Sequence, residues 1–383
     1  MTRDRIRVAL VMDHPAQQFT RGLRLLAAEP DVEAQVYYWS VAQRFHDHGF
    51  GREVEWDVDL LDGYTWAGAP DASAITRLRW LLSHLRKARP DVVVTYGWGS
   101  SIARASIIFC LLTGTRILLY GDSTWQHPSL GWRRAARAVG LHVLTRVCTG
   151  AISTGVFNRE FYIMYGMNPR SIWPGVCPAD TGLFGQSRRD SHSAIRAGSQ
   201  QLCIGFAGKL IEIKGADELL HAAALLPASQ NWSITMVGDG PLRGELQALT
   251  NRLGVEERVS FSGFANVSEM PKLLAGFDVV VVPSRLDRRT LVTIEAMAAG
   301  AAVVVSDATA VWGPGDLIED GVTGLLYPSG DPAALAEQLR RLLGDRELLG
   351  RLQRDGKQRA ARFGPESFAA TMAQAARMCM AGH

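Results

Sequence analysis

The chain has 383 residues, of which 47% are hydrophobic and 21% charged, a composition typical of a soluble globular protein with enough length for two domains. Its net charge of +3 is too small to indicate a nucleic-acid-binding protein. The five cysteines are odd in number and widely spaced, with no CxxC pair or His/Cys cluster, which supports neither a disulfide framework nor a zinc site and favours reduced thiols in a cytosol.

The first half of the chain alternates apolar, strand-like runs with helical periods. The predicted strands are IRVALVM, AQVYYW, DVVVTYG and RILLYGD, and the predicted helices cover residues 17–28, 73–89 and 100–113. This alternation predicts βαβ units and a parallel sheet, which we assign to a first domain over residues 1–185. The apolar start is too short for a signal peptide, and no later run is expected to cross a membrane.

A basic segment, GWRRAARAVGLHVLTRV, follows at residues 131–147. It carries four arginines and no acid, and its apolar residues recur at helical spacing: Trp132, Ala136, Val139, Val143 and Val147. Such a helix can rest on anionic lipid or bury its apolar stripe in the domain core. We expect the stripe to be buried.

Residues 186–200 are polar, rich in serine and without apolar periodicity, which predicts an interdomain linker. Alternating strands and helices then return and predict a second domain over residues 201–364. A last helix over 365–383 is expected to pack back across the domain junction. The predicted fold class is α/β, with two Rossmann-like, doubly wound domains whose strand ends face one cleft.

Two glycine-containing loops of the second half follow predicted strands and are candidate nucleotide-binding motifs. GDGPLRG follows the strand SITMV, but Arg243 stands where a dinucleotide fingerprint needs its third glycine, and Pro241 occupies the helix start. The loop GKLIEIKG places Lys209 and Lys214 beside Gly208 and just past a strand end. Two ammonium groups there can neutralise a diphosphate without a metal ion, although ordinary surface lysines fit the same pattern.

Two acids, Asp287 and Glu295, stand eight residues apart. The run FDVVVVPS predicts a buried parallel strand, and Thr290 is expected to cap a helix from Leu291 to Gly300. Asp287 would then lie in the strand-to-helix loop and Glu295 early in the helix, where free backbone N–H groups attract an anion. The alternative is a solvated loop acid and a glutamate that favours the positive helix end.

The motif order of the second half identifies a resemblance. GFAGKLIEIKGADELLHA, ITMVGDGPLRGEL, RVSFSGF and VVVVPSRLDRRTLVTIEAMAAG resemble, over residues 200–365, the donor-binding domain of the retaining glycosyltransferases of family four. That family has the GT-B fold. The first half matches the family more loosely.

The resemblance implies a role for each candidate residue. Asp287 would contact the donor sugar and Glu295 the ribose. Lys209 and Lys214, beside Gly208, would bind the diphosphate. The backbone amides near the helix start would approach the phosphates; they belong to Thr290, Leu291 and Val292.

The sequence departs from the family pattern in several places. Asp287 replaces the usual glutamate, and Arg288 and Arg289 replace a glycine-containing turn. The two arginines could contact a negatively charged sugar or acceptor, but we expect both to be exposed in the loop. The histidine found in many members after the strand RILLYGD is missing, and Asp122 or His127 is predicted to take its place.

The resemblance therefore implies transfer of a sugar, with retention, from a nucleoside diphosphate sugar to an acceptor hydroxyl or amine. No metal and no cofactor is expected. The acceptor would be a glycan, a lipid-linked sugar or a small aglycone, bound by the first domain in the cytoplasm, with peripheral contact at the inner membrane surface left open. A nucleotide-sugar epimerase and a catalytically silent nucleotide-sugar-binding protein remain as alternatives.

Overall fold

A computed structural model describes residues 5–42, 44–124, 132–186 and 201–381, with the backbone alone for residues 132–136. His127 and, apart from Gln186, the predicted linker lie outside the described residues. Among the described residues, no helix has the length and apolar character needed to cross a membrane.

The chain packs into two compact units. The first contains Met1–Ala42, Asp59–Pro178 and Gly364–His383, and the second contains Gln43–Val58 and Ala179–Phe363, as far as these ranges are described. These units differ from the continuous domains predicted over 1–185 and 201–364. The difference arises because residues 44–58 bond to loops of the second unit, while the last helix packs on the first helix of the first unit.

The first unit is built on a seven-stranded parallel sheet in the order β5-β2-β1-β6-β7-β8-β9. Runs of β-branched and aliphatic residues form its central strands, which are buried on both faces. The strands are β1 (Ile6–Met12), β2 (Val32–Tyr38), β5 (Trp66–Gly68), β6 (Val92–Tyr96), β7 (Arg116–Gly121), β8 (Gly150–Ser153) and β9 (Ile172–Pro174).

Helices cover both faces of this sheet, since right-handed crossovers that move along the sheet in opposite directions place their helices on opposite faces. One face carries α2 (Ala74–Ala88), α3 (Ser101–Thr113), α4 (Trp132–Val147) and α5 (Val156–Met164). The other carries α1 (Gln17–Ala27), on which the C-terminal helix α12 (Pro365–Ala381) packs. Phe19 and Phe368 meet there, with ring centroids 5.7 Å apart.

A two-stranded antiparallel hairpin, β3 (Arg44–Asp47) and β4 (Arg52–Glu55), belongs to the second unit although it precedes most of the first unit in the chain. Asn266 donates its side-chain N–H to the carbonyl of Glu55 at 2.9 Å, and Ser268 hydrogen-bonds to Asp57. These bonds attach the hairpin to the loop that follows the strand Val259–Gly263.

The second unit has a six-stranded parallel sheet in the order β12-β11-β10-β13-β14-β15. Its strands are β10 (Leu202–Ala207), β11 (Trp232–Val237), β12 (Val259–Gly263), β13 (Val279–Val282), β14 (Ala302–Ser306) and β15 (Leu325–Tyr327). Its helices are α6 (Ala216–Ala224), α7 (Arg243–Arg252), α8 (Met270–Ala275), α9 (Leu291–Ala299), α10 (Pro332–Gly344) and α11 (Arg346–Ala360). Short 3₁₀ turns lie at Pro169–Ser171, Glu212–Lys214, Glu256–Arg258 and Ala361–Phe363.

The predicted burial of the α4 apolar stripe is wrong for the three valines whose side chains are described. Val139 is 66% exposed, Val143 56% and Val147 39%. The helix instead buries Leu141 and Thr145, so its core-facing side is rotated away from the valines. Trp132 and Ala136 lie among the residues whose side chains are not described.

Candidate functional site

Glycines bring the loops that follow β10 and β11 into contact in the second unit. Gly238 has φ +135°, and a Cβ atom there would lie 1.9 Å from the carbonyl oxygen of Gly208. The N–H of Leu210 donates to the Asp239 carbonyl at 2.9 Å. Gly238 therefore permits an approach that no side chain would allow, and it fixes the start of the lysine-bearing loop.

A second close approach joins that loop to the end of β13. Gly215 has φ +64°, and a Cβ atom there would lie 2.0 Å from the Pro283 carbonyl oxygen. The N–H of Arg285 donates to the Ile213 carbonyl at 2.8 Å. Residues 208–215 are thus held between the carboxyl ends of β11 and β13, at the sheet edge where ligands of open α/β sheets bind.

This packing brings together two of the predicted residues, Lys214 and Asp287, as an ion pair. The Ser284 hydroxyl donates to the same carboxylate at 3.4 Å. The backbone of Asp287 is fixed as well, because its carbonyl accepts the N–H of Ala310 at 2.8 Å. The ammonium group predicted to bind phosphate thus meets the carboxylate predicted to contact sugar.

The helix α9 begins next to this pair, as predicted. Thr290 occupies the N-cap position, but its hydroxyl bonds to the Thr293 hydroxyl and caps no backbone N–H, so the predicted side-chain cap is wrong. Among the described residues, the N–H groups of Leu291 and Val292 have no hydrogen-bond acceptor. They are two of the unsatisfied donors with which every helix begins, and they suit an anion.

Glu295 lies one turn further along α9 and is mostly buried. This burial raises the pKa of its carboxyl to about 7. Among the described residues, its carboxylate has no ion pair or hydrogen bond. A buried, unpartnered carboxyl at this position can accept hydrogen bonds from a ligand hydroxyl.

Lys209 is engaged by the hairpin. Its ammonium lies 2.7 Å from the Asp47 carboxylate and 5.0 Å from the centre of the Phe50 ring. Asp47 also accepts the N–H groups of Gly49 and Phe50, at 2.8 and 3.1 Å. Although burial acts to raise it, these hydrogen bonds and that of Lys209 hold the pKa of Asp47 below its ordinary value.

A groove of about 660 Å³ lies between the hairpin and the loop after β11. Phe50, at the hairpin turn, packs edge to face on Phe264 with ring centroids 5.0 Å apart, and Arg52 lies 4.9 Å above the same ring. The opposite wall is formed by Asp239, Gly240 and Pro241. The groove is polar, but aromatic at one side.

Arg288 is exposed, as predicted, whereas the predicted exposure of Arg289 is wrong. Arg289 is 3% exposed and pairs at 2.9 Å with Asp316, whose side chain is fully buried. Its guanidinium also lies 5.4 Å from the centre of the Phe363 ring. Arg289, next to the start of α9, therefore holds the loop in place through a buried ion pair.

Of the two residues predicted to replace the missing histidine, Asp122 is among the described residues and His127 is not. Asp122 lies in the first unit, directly after β7, and is half-buried. Its neighbours are fixed, since the Asn158 amide donates to the Ser123 carbonyl at 2.6 Å and the Thr154 hydroxyl to that of Gly121 at 3.1 Å. The role of Asp122 stays a prediction, as does that of His127.

Sequence reasoning missed the hairpin and with it Asp47 and Phe50. The segment RFHDHGFGREVE does hold a signal, since glycines at 49 and 51 separate two short runs of alternating residues. Its contact with Lys209, 162 residues away, has no signature in a single sequence. The five cysteines, all of them among the described residues, form no disulfide.

Part of the second unit is similar to a known protein family. Residues 201–345 match the family model of the group 1 glycosyl transferases. The matched range holds every predicted donor-site residue and lies within the predicted second domain.

Two curated relatives that match part of this chain are also glycosyltransferases. The chain is 36% identical over 221 residues to D-inositol 3-phosphate glycosyltransferase 1 of Catenulispora acidiphila, which covers 54% of this chain and 51% of that protein. It is 33% identical over 177 residues to an uncharacterized glycosyltransferase of Methanocaldococcus jannaschii, covering 45% and 44%. The chain thus spans about half the length of these relatives.

Among solved structures, HepE of Anabaena in complex with UDP is similar over 97% of this chain and 100% of its own, with a TM-score of 0.74 and 18% identity. The chain therefore has the α/β GT-B fold with two Rossmann-like parallel sheets, which confirms the predicted fold class.

Proposed function

We propose that the protein is a glycosyltransferase that moves a sugar from a nucleoside diphosphate sugar to an acceptor hydroxyl or amine. The observation that carries this proposal is the cluster at the strand ends of the second unit. There Lys214 and Asp287 lie beside the free amides that begin α9, with Glu295 one turn away. The match of residues 201–345 to the group 1 family supports it.

Each group has a part in the proposed reaction. Lys209 and Lys214, with the amides of Leu291 and Val292, stabilise the diphosphate as its bond to the anomeric carbon breaks. Asp287 turns from Lys214 to hydroxyls of the sugar, and Glu295 accepts from the ribose. The acceptor oxygen or nitrogen then bonds to the anomeric carbon and gives up its proton to an oxygen of the departing diphosphate. Retention of configuration and the absence of a metal ion are part of the proposal and rest on the family resemblance.

The donor and acceptor classes follow from the same resemblance. Since the similar HepE structure holds UDP, a uridine diphosphate sugar is the first donor to test. For the acceptor we propose a glycan, a lipid-linked sugar or a small aglycone. We also propose a cytoplasmic location, with peripheral contact at the inner membrane surface.

A silent nucleotide-sugar-binding protein is the second candidate, and one observation favours it. Both lysines are neutralised by carboxylates of the chain itself, through Asp47 and Asp287. Such a protein would bind the donor and never release the diphosphate.

The test is thermal unfolding with a panel of nucleoside diphosphates and their sugars. Ligand at 100 times its dissociation constant stabilises by about 2.7 kcal/mol. Lys209→Ala and Lys214→Ala should weaken binding at least about tenfold, as expected for a lost charged contact. Lys272→Ala, an exposed lysine of α8, is the matched control and should bind as the parent does.

The outcomes separate the candidates. Stabilisation by one nucleotide, with diphosphate release in the presence of an acceptor, supports the transferase. Binding without release across the acceptors supports the silent protein, and isomerisation of the donor without an acceptor indicates the epimerase. If no nucleotide shifts the unfolding temperature, the donor site is wrong.

A further inference from the structure

Three consecutive helices of the first unit contain no acidic residue. α2, α3 and α4 together hold no aspartate or glutamate. Their basic residues are Arg77, Arg79, Arg86, Lys87, Arg104, Arg133, Arg134, Arg137 and Arg146. In a chain with a net charge of only +3, this local excess is exceptional.

These helices lie on one face of the first unit's sheet. Leu81 and Leu85 of α2, Ile102 of α3 and Leu141 of α4 belong to one buried cluster over that sheet. The Arg137 guanidinium of α4 lies 5.3 Å from the ring of Trp98, which precedes α3. Their outward sides therefore form one continuous surface, which we call the acid-free face (outward residues of α2, α3 and α4).

The acid-free face also exposes aliphatic side chains. The five most exposed large apolar residues of the described chain all belong to it: Leu112 (82%), Val139 (66%), Ile75 (64%), Ile108 (57%) and Val143 (56%). Isolated exposed leucines are common, but several on neighbouring helices indicate a binding surface.

The charges of the two faces of this sheet are organised differently. On the α1 and α12 side, Arg21 pairs with Glu366, Arg24 with Asp62, and Arg377 with Glu29 and Asp31. Among the basic residues of α2, α3 and α4, Arg77 pairs with Asp71 at 2.9 Å, whereas the exposed Arg79, Arg86, Lys87 and Arg146 form no ion pair with any described residue.

We propose that the acid-free face is the surface that makes the peripheral membrane contact of the proposed function, and that it binds a bilayer that contains anionic lipids. Basic side chains would contact the headgroups while the aliphatic side chains enter the headgroup boundary, as amphipathic interfacial helices do. The contact is with the surface alone, because among the described residues no helix is suited to span a membrane.

Charge complementarity selects this occupant. A symmetric dimer would place the acid-free face of one copy against that of another and bring like charges together. Nucleic acid would leave the aliphatic side chains without a partner, since bases stack on aromatic rings. Anionic lipid satisfies both the charges and the apolar side chains.

The test is flotation of the full chain with vesicles of phosphatidylcholine alone and of phosphatidylcholine with phosphatidylglycerol, at low and high salt. We expect binding only to the anionic vesicles and its loss at high salt. Since each basic residue near the surface adds about fivefold to partitioning, Arg86→Glu with Lys87→Glu should weaken it more than tenfold. Leu112→Asn with Val139→Asn should weaken it several-fold.

Matched controls lie in the second unit. Arg351→Glu with Arg354→Glu reverses the same charge on exposed positions of α11, and Leu225→Asn changes an apolar residue that is 49% exposed. Both should bind vesicles as the parent does.

The proposal is overturned if anionic vesicles do not bind the parent chain, or if the control variants lose binding equally. A further outcome would also overturn it: the parent chain does not bind anionic vesicles but self-associates in sedimentation, and Leu112→Asn with Val139→Asn abolishes that self-association. The face would then be an interface between copies of the chain. Nucleotide stabilisation measured on the same variants should be unchanged, so the membrane contact and the proposed transfer reaction can fail separately.

Discussion

The second unit pairs the charges around α9 within the chain, whereas several exposed basic residues of the acid-free face in the first unit pair with no described residue. Near α9, Lys214 meets Asp287 and Arg289 meets Asp316, and the hairpin holds Lys209 through Asp47. On the acid-free face, Arg86 and Arg146 form no ion pair with any described residue, although Arg77 pairs with Asp71. An internal ion pair either stabilises the fold or has to break before its charged group can bind a ligand. An unpaired cationic surface is available to an external partner at once.

The fully buried pair Arg289–Asp316 should give the largest effect. Arg289→Gln removes the guanidinium from a carboxylate that is fully buried, and breaking such a pair costs about 3–5 kcal/mol. Urea unfolding measures the loss. Arg288→Gln is the matched control. Because Arg288 is exposed, this substitution should change the free energy of unfolding by less than about 0.5 kcal/mol. Equal effects of the two substitutions would show that Arg289 is no fixture of the fold.

Glu295 should give a pH-dependent effect of intermediate size. Because burial raises its folded-state pKa from 4.5 to about 7, the folded protein binds more protons than the unfolded chain between these values. Stability contributed by this group is therefore full below about pH 4.5 and falls as the pH rises to 7. At pH 8, the free energy of unfolding of Glu295→Gln should exceed that of the parent by as much as about 3 kcal/mol. Near pH 4, the two proteins should have the same free energy of unfolding.

Urea unfolding at the two pH values measures the Glu295 effect, with Glu347→Gln on the exposed start of α11 as control. A stability gain that is the same at both pH values would contradict a buried, ionising Glu295. Nucleotide binding by Glu295→Gln sharpens the result, because the proposed ribose contact predicts weaker binding in the same variant that gains stability.

Asp47 should give the smallest effect. If a diphosphate must take Lys209 from Asp47, then Asp47→Asn should tighten nucleoside diphosphate binding about fivefold, the equivalent of a partly exposed ion pair. Titration calorimetry measures it. Glu337→Gln, which removes one acid from an exposed pair on α10, controls for net charge. Weaker binding by Asp47→Asn would show that Asp47 orients Lys209 toward the ligand.

Much of the fold follows from local patterns. The runs that form β1, β6, β13 and β14 are β-branched and buried on both faces, and such runs have few alternatives to a central parallel strand. The bounds of α9 were predicted to within a residue because Gly300, with φ +86°, ends the helix as its sequence position indicates.

What the sequence could not predict depends on contacts between distant residues. The burial of Arg289 requires Asp316 and Phe363, which no local pattern joins to it. The orientation of α4 depends on which side packs on the sheet, and Leu141 with Thr145 outweighed the valine stripe. The spacing of Lys214 and Asp287 was visible, but their ion pair depends on the close approach at Gly215.

The hairpin also bears on how this protein can be divided. Since residues 43–58 belong to the second unit and the last helix to the first, the chain passes between units four times. A fragment that begins after the polar segment 186–200 would lack the hairpin. It would therefore lose Phe50, which packs on Phe264, and Asp47, which pairs with Lys209. If residues 201–363 alone were moved into another protein, the loops of this chain would meet the hairpin of that other protein. Donor specificity should therefore be transferred with residues 43–58 included, as a discontinuous module.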